Sequence, residues 1–291
     1  GFFKKFLTKL IYLFSFNSSW PFIFKEFLNE EVKILNKSDC DLIIFPSQNT
    51  TSYQINKKSL STIHDLMHIY ENQFSEYTKN IISKRDIHYQ NICKYCDGIL
   101  VDSTMGKNHV IDSYIVKKNK IFTLPFIVPK YLLKKNKINV FKKFGIKENY
   151  LFYPAQFWEH KNHITLVKAF KDVSKKNKNI SLVFCGAKKN YYDQVYKLVH
   201  LKNLQEKIYF LGRVHDNDMS SLYSNAIATI YPSLCGPTNI PPLESISLNT
   251  PLICSDAYSM KNQMGNSAIF FNPKNYKNIS KKINLIINNK K

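Results

Sequence analysis

The chain is 291 residues long, with 44% hydrophobic residues and a formal net charge of +21. That length holds two domains of ordinary size. No apolar run approaches the ~20 residues a membrane-spanning helix needs, and six cysteines scattered without a secreted framework suit a reducing compartment.

The charge admits nucleic acid, an anionic membrane surface or acidic substrates as partners. No zinc-finger or RNP-like pattern accompanies it, so nucleic acid is not read as a partner. Lys, Asn and Ile are abundant together along the whole chain, as a compositional bias makes them. The Lys runs at 117–120, 134–137 and 174–178 lie between predicted elements and read as solvated faces.

Gly1 to Phe16 is basic, with Phe3, Phe6, Leu7, Leu10 and Phe14 at helical spacing. It reads as a core-facing helix, with a helix lying on a membrane surface as the alternative. Lys is interleaved with the apolar positions, unlike a signal peptide. Asp41 to Phe45 is a short apolar run closed by Pro46, consistent with a buried strand. Ser61 to Asp65 reads as a second strand, which puts His64 and Asp65 at its carboxyl end, where open α/β sheets bind ligands. A helix-like stretch through Arg85 and Tyr95 carries Cys93-Lys-Tyr-Cys96. With only His88 near, these read as two half-buried thiols on a helix, since a zinc site needs a second pair. Gly98 to Ser103 is a third strand with Asp102 and Ser103 at its end, and Ile121 to Leu124 a fourth. Strands alternating with helical stretches predict a mostly parallel, doubly wound sheet.

From Leu132 to Glu148 the chain is Lys-rich without a long apolar run, so a boundary near 135–148 is expected, separating a domain over 1–140 from one over 149–291. Tyr150 to Pro154 opens the second series, which continues with strands at Ser181–Cys185, Ile208–Leu211, Ile227–Tyr231, Pro251–Ser255 and Ala268–Phe271. Helices are expected after Asn162, over Asn190–Leu201 and Asp218–Asn225, and from about Tyr276.

The stretch from Tyr231 to Glu244 organises the rest. Strand Ile227 to Tyr231 ends in a loop holding Pro232, Gly236 and Pro237, and the loop opens into a helix with Pro241 and Pro242 in its first turn. Such a junction aims backbone N–H groups and the positive end of a helix dipole at one point, where a diphosphate can sit. Pro241 and Pro242 have no N–H, so the donors are expected among Thr238, Asn239, Ile240 and Leu243. Glu244, one turn in, is placed to accept hydrogen bonds from ribose hydroxyls.

This stretch resembles the retaining glycosyltransferases of family 4, the "group 1" transferases of the GT-B fold. Their signature is two glutamates separated by seven residues within P-S-x-x-E-G-F-G-x-P-x-x-E. Glu244 matches the second Glu, and Pro232, Ser233, Ile240, Pro241, Pro242 and Leu243 fall where the pattern has them. Gly236 stands at the first Glu, and Pro237-Thr238-Asn239 at the Gly-Phe-Gly turn. A second likeness is Tyr153-Pro-Ala-Gln156-Phe-Trp-Glu-His-Lys161: Lys161 takes the position of the family's Lys, and Gln156 that of its Arg, both directed at the donor diphosphate. His64, in Ile-His-Asp-Leu, resembles the family's His that contacts the transferred sugar.

The resemblance implies an α/β chain of GT-B type, two Rossmann-like, doubly wound domains facing a central cleft, with both ends of this chain incomplete. It implies a retaining hexosyl transfer, mannosyl among the candidates, from a nucleotide sugar to a glycan or lipid-linked acceptor of the cell envelope, such as a lipopolysaccharide. Lys161, Glu244 and His64 would be catalytic. Gln156, Arg213, Gly236, Thr238, Asn239, Ile240 and Leu243 would bind the donor, Arg213 beginning the loop that passes the base. Asp65, Asp102 and Ser103 would line the acceptor side. Asp216-Asn-Asp218 has the D-x-D form of metal-dependent transferases of another fold. It precedes the amphipathic Met219, Leu222 and Tyr223, so a carboxylate capping a helix is expected there, with no metal and no cofactor beyond the donor. The setting expected is cytoplasmic, with peripheral contact at an anionic membrane face. The alternative is a degenerate GT-B module that binds nucleotide without turnover.

Overall fold

The computed structural model describes residues 29–133 and 138–289. The expected helix at Gly1 to Phe16 and the Lys run at 134–137 lie outside these residues. The chain divides into two compact units, one reaching Leu66 and resuming over Asn80–Leu124, the other taking Met67–Lys79 and everything from Pro125.

The first unit opens with helix α1 (Glu30–Lys37), whose first turn is held by the Asn29 side chain accepting from the Glu31 N–H. Strands β1 (Leu42–Phe45) and β2 (Lys58–Thr62) follow. The short helix α2 (Met67–Tyr70) belongs to the second unit. Helix α3 (Lys79–Tyr95) leads to β3 (Gly98–Val101), helix α4 (Thr104–Ser113) and β4 (Ile121–Thr123). The four strands are parallel and stand in sequence order. Ile63, Leu66, Tyr89, Ile92, Ile99, Val101, Val110 and Ile121 form the core against them.

In the second unit, helices α5 (Lys130–Leu133) and α6 (Val140–Phe144) precede β5 (Tyr150–Pro154). Then come α7 (His163–Lys176), β6 (Ser181–Cys185), α8 (Tyr192–Leu201), β7 (Ile208–Phe210), α9 (Asp216–Ser224) and β8 (Ala228–Tyr231). Helix α10 (Ile240–Ser247), β9 (Leu252–Ser255), α11 (Met260–Met264), β10 (Ile269–Phe271) and α12 (Tyr276–Asn289) complete it. All six strands are parallel, in the order β10-β9-β8-β5-β6-β7. Helices cover both faces, so β5, β6, β8 and β9 are buried at every residue and read as unbroken apolar runs. The chain winds outward one way through β6 and β7 and the other way through β8, β9 and β10. Strands β5 and β8 therefore flank the point where the winding reverses, the place where doubly wound sheets bind ligands beyond their carboxyl ends.

Several local expectations need correction. Strand β2 runs Lys58–Thr62, so His64 and Asp65 follow its end instead of closing it. Helix α9 is capped by His215, whose Nδ1 accepts from the Asn217 N–H at 3.2 Å. Asp216 and Asp218 sit inside the first turn, where the helix dipole favours them. Asp218 lies past the N-cap position, and its carboxylate takes the Lys143 ammonium at 2.7 and 2.8 Å. Cys93 and Cys96 form no disulfide and are both buried, and Cys96 lies beyond the end of α3.

Candidate functional site

The turn after β5 is built to present Lys161. A 3-10 turn spans Glu159–Lys161, and Asn162 then takes a left-handed conformation (φ +62°) that redirects the chain into α7. Asparagine tolerates this region better than most residues. Its side-chain amide also donates to the carbonyls of Pro232 (3.0 Å) and Pro273 (2.8 Å), fastening the turn to the segments following β8 and β10. The Tyr153 hydroxyl, from inside β5, donates to the Lys161 carbonyl at 2.6 Å. Held from behind, Lys161 extends its Nζ to the Tyr231 hydroxyl at 3.0 Å and to Asn239 Oδ1 at 3.3 Å. Tyr231 in turn donates to the same Asn239 oxygen at 2.8 Å.

Asn239 is the N-cap of α10, and its side chain serves Lys161 and Tyr231 instead of the helix's own N–H groups. Its backbone is clamped by Gln263, which accepts from the Asn239 N–H at 3.0 Å and donates to the Asn239 carbonyl at 2.9 Å. The Asn239 amide, expected to face an anion, is thus committed to Gln263. Thr238, Ile240 and Leu243 lie in the same loop and first turn of α10. Gly236 sits at φ +106°, and a Cβ there would stand 3.1 Å from Asn239 Nδ2. The position that carries the first Glu of the resembling signature thus has a backbone that side chains rarely adopt.

Glu244, 6% exposed, lies on α10 beyond the two prolines. The Tyr223 hydroxyl donates to its Oε2 at 2.6 Å, and Tyr131, from α5, hydrogen-bonds to it as well. Burial raises its pKa above the ordinary carboxylate value, the two phenols pull it back in part, and Asp216 nearby pushes it up again. A buried carboxylate that already accepts from hydroxyls is suited to accept from the hydroxyls of a pentose.

The next loops complete the rim. Exposed Gln156 accepts from Trp158 Nε1 at 3.0 Å. Gly186, after β6, packs so closely on the loop after β5 that a Cβ would lie 2.2 Å from the Ala155 carbonyl oxygen. The Gly186 N–H donates to the Gly212 carbonyl at 2.8 Å, joining the loop that begins with exposed Arg213. Lys161 and Asn239 are thus in contact beside the loop of Gly236, Glu244 lies further along α10, and Gln156 and Arg213 lie in the loops after β5 and β7. Sequence reasoning missed Tyr131, Tyr223, Gln263 and Gly186. Only Gly186, directly after an apolar run, carried a readable signal.

In the first unit the strand ends also gather polar groups. Asp65 pairs with Arg85 at 3.0 Å, and Arg85 Nε donates to the Tyr89 hydroxyl at 3.1 Å. Asp102 is buried and accepts from the Ser103 hydroxyl at 3.0 Å, while Ser103 caps α4 by accepting from the Gly106 N–H at 3.0 Å. His64 is half-buried. Burial lowers its pKa most and Arg85 lowers it further, against the opposing influence of Asp65 and Asp102, so it is held toward its neutral form. His64, Asp65 and Asp102 are therefore near enough to act on one another electrostatically, with Ser103 bonded to Asp102.

A family model described as "Glycosyl transferases group 1" matches residues 135–291. The O-antigen chain mannosyltransferase RfbU of Salmonella typhimurium is 30% identical over 216 residues, covering 73% of this chain and 56% of that protein, so the chain spans about half the length of that relative. Among solved structures, sucrose-phosphate synthase from Thermosynechococcus elongatus superposes with a TM-score of 0.74 at 18% identity, over 89% of this chain and 67% of that one. The Anabaena protein Alr3699/HepE, solved with UDP-glucose, gives a TM-score of 0.71 at 13% identity, over 90% and 72%. These likenesses establish the GT-B fold expected from the sequence.

Proposed function

Because the chain belongs to the group 1 glycosyl transferases, we propose that it moves a hexosyl group, a mannosyl group first among them, from a nucleoside diphosphate to an acceptor hydroxyl with retention of configuration. The observation that carries this is the contact of Lys161 Nζ with Asn239 at the N-cap of α10, the helix that also holds Glu244. A diphosphate there would meet the ammonium of Lys161 and the amide end of the helix together. As the glycosidic C–O bond breaks, its electron pair passes to the departing diphosphate oxygen. A preformed cation stabilises the charge growing there without reorganisation, which is worth several kcal/mol at a transition state. Glu244 would exchange a phenol for ribose hydroxyls, with Thr238, Ile240 and Leu243 along the phosphates and Gln156 and Arg213 toward the rest of the donor. His64 would contact the transferred sugar, with Asp65, Asp102 and Ser103 on the acceptor side.

No side chain of the site suggests a covalent nucleophile, so attack on the face the diphosphate leaves fits best, with the acceptor proton passing to the departing phosphate oxygen. The acceptor class proposed is a cell-envelope polysaccharide or lipid-linked glycan, on the support of the O-antigen name of the 30% identical relative. No described helix is long and apolar enough to cross a membrane. Work at the cytoplasmic face of an anionic membrane suits the net charge of +21.

A second reading, nucleotide binding without turnover, draws on Gly236 and Gln156 standing where the signature has Glu and Arg. Incubating the protein with UDP-, GDP- and ADP-sugars and measuring nucleoside diphosphate release, with and without glycan acceptors, separates the two. Release from one donor class, quickened by an acceptor, is the result expected. Binding without release would leave the second reading standing.

A further inference from the structure

The turn that presents Lys161 is gripped from outside by a distant part of the chain. In the segment Met67–Lys79, the Ser75 N–H donates to Glu159 Oε2 at 2.8 Å. Next to it, Glu76 Oε1 accepts from the His160 N–H at 3.3 Å and lies against His160 Nδ1, so one carboxylate holds both the backbone and the ring of the residue before Lys161. Glu76 and His160 side chains are 7% and 15% exposed. Asn190 donates to Ser75 Oγ at 2.9 Å and reaches Glu76 Oε2 at 3.5 Å, and the Phe74 ring meets the His160 ring edge-on at 6.1 Å. On its other side, the His160 carbonyl accepts from the Leu234 N–H at 2.8 Å, in the loop that leads to Gly236. His160 is thus a bridge between Glu76 and the loop before α10, and Lys161 is the next residue.

We propose that Glu76 is a positioning residue for the leaving diphosphate: through His160 it fixes the turn that holds the Lys161 ammonium at the N-terminus of α10. The inference rests on the nucleotide reading of the site and adds to it a residue 85 positions away from Lys161 in sequence (161 − 76 = 85). Burial raises the Glu76 pKa, but the hydrogen bond to His160 and the other bonds at this carboxylate outweigh it, so the group stays ionised. A charged anchor fits this use, because hydrogen bonds to an ionised acceptor are shorter and stronger than neutral ones.

A double-mutant cycle on the full chain tests the assignment. Titration calorimetry would measure whichever of UDP, GDP and ADP the wild type binds, and the matching nucleoside, against Glu76→Ala, Glu76→Gln, Lys161→Ala and the Glu76→Ala/Lys161→Ala pair. Glu76→Ala is expected to weaken the diphosphate about tenfold and leave the nucleoside unchanged. In the Lys161→Ala background it should add less than about twofold, since residues that act through one another do not add. Glu76→Gln keeps an acceptor oxygen for the His160 N–H, should retain part of the affinity, and carries the comparison if the alanine variant fails to fold. Full additivity with Lys161→Ala, equal weakening of the nucleoside, or no loss in either Glu76 variant overturns the positioning role and leaves the nucleotide reading intact. If no diphosphate binds, or if Lys161→Ala changes nothing, both fall.

Discussion

Lys161 reaches the N-cap of the helix that carries Glu244: its Nζ donates to Asn239 Oδ1 at 3.3 Å and lies 5.4 Å from the centroid of the Tyr231 ring. A cation held in place before the substrate arrives acts on the charge that develops at the transition state. Lys161→Ala should therefore lower the rate of donor turnover by on the order of a hundredfold or more. Lys161→Arg should recover little of it, since a planar guanidinium does not match a site shaped for an ammonium. Steady-state kinetics with the best nucleotide sugar would show the loss mainly in kcat. A loss confined to KM would assign Lys161 to ground-state binding alone.

Glu244 gives a pH dependence whose sign follows from its burial. Its folded pKa is raised, so the folded chain binds this proton more tightly than the unfolded one. The stability it contributes is complete below the unfolded value near ~4.5 and is lost as pH rises through the raised folded value. Glu244→Gln removes that dependence, and urea midpoints of the variant should decline less than those of the wild type upward from about pH 4.5. Nucleotide affinity should move oppositely in the wild type, rising across the same interval, because ribose hydroxyls need the ionised acceptor. A pH-independent affinity in the wild type would argue against Glu244 as the ribose contact.

Gly236 should resist substitution. At φ +106° a side chain is strained, and the nearest atom to a new Cβ is Asn239 Nδ2 at 3.1 Å. Gly236→Ala is expected to destabilise by about 1–2 kcal/mol, seen as a lower urea midpoint with unchanged slope. Gly236→Glu should cost at least as much and should not raise turnover, because the loop must change course to seat the carboxylate. A stable and faster Gly236→Glu variant would show that the loop readily takes the other course.

Asn162 is the rivet of the site, and Asn162→Asp tests it. The substitution removes the donor shared by the Pro232 and Pro273 carbonyls and sets a carboxylate against both. Stranding buried acceptors costs roughly 2 kcal/mol or more. Thermal unfolding should register the loss, and Lys161→Ala, which removes bonds to the Tyr231 hydroxyl and to Asn239 Oδ1, should not match it.

Much of the second unit was legible because its four inner strands are buried on both faces, so unbroken apolar runs mark them plainly. Glu244 could be named from its place one turn into the helix that follows β8, whereas Lys161 was named through the resemblance of its motif. Strand β2 was misplaced because its buried positions include Ser59 and Ser61, small hydroxyl residues that carry no apolar signal; the Ser61 hydroxyl is instead satisfied by that of Ser52 at 3.0 Å. His215 was missed as a cap because the acidic pair beside it is the commoner signal, and only the tertiary contact with Lys143 shows where Asp218 is engaged. Tyr131, Tyr223, Gln263 and Glu76 reach the site through the folded chain, from positions no local pattern connects to it.

The most direct test of the account is titration calorimetry of UDP, GDP and ADP, each beside its nucleoside, with the unmodified protein. One diphosphate should bind at least tenfold more tightly than its nucleoside, releasing heat at one site per chain. If no diphosphate binds, or if diphosphate and nucleoside bind alike, then Lys161 and the amino end of α10 do not receive a pyrophosphate, and the transferase reading fails.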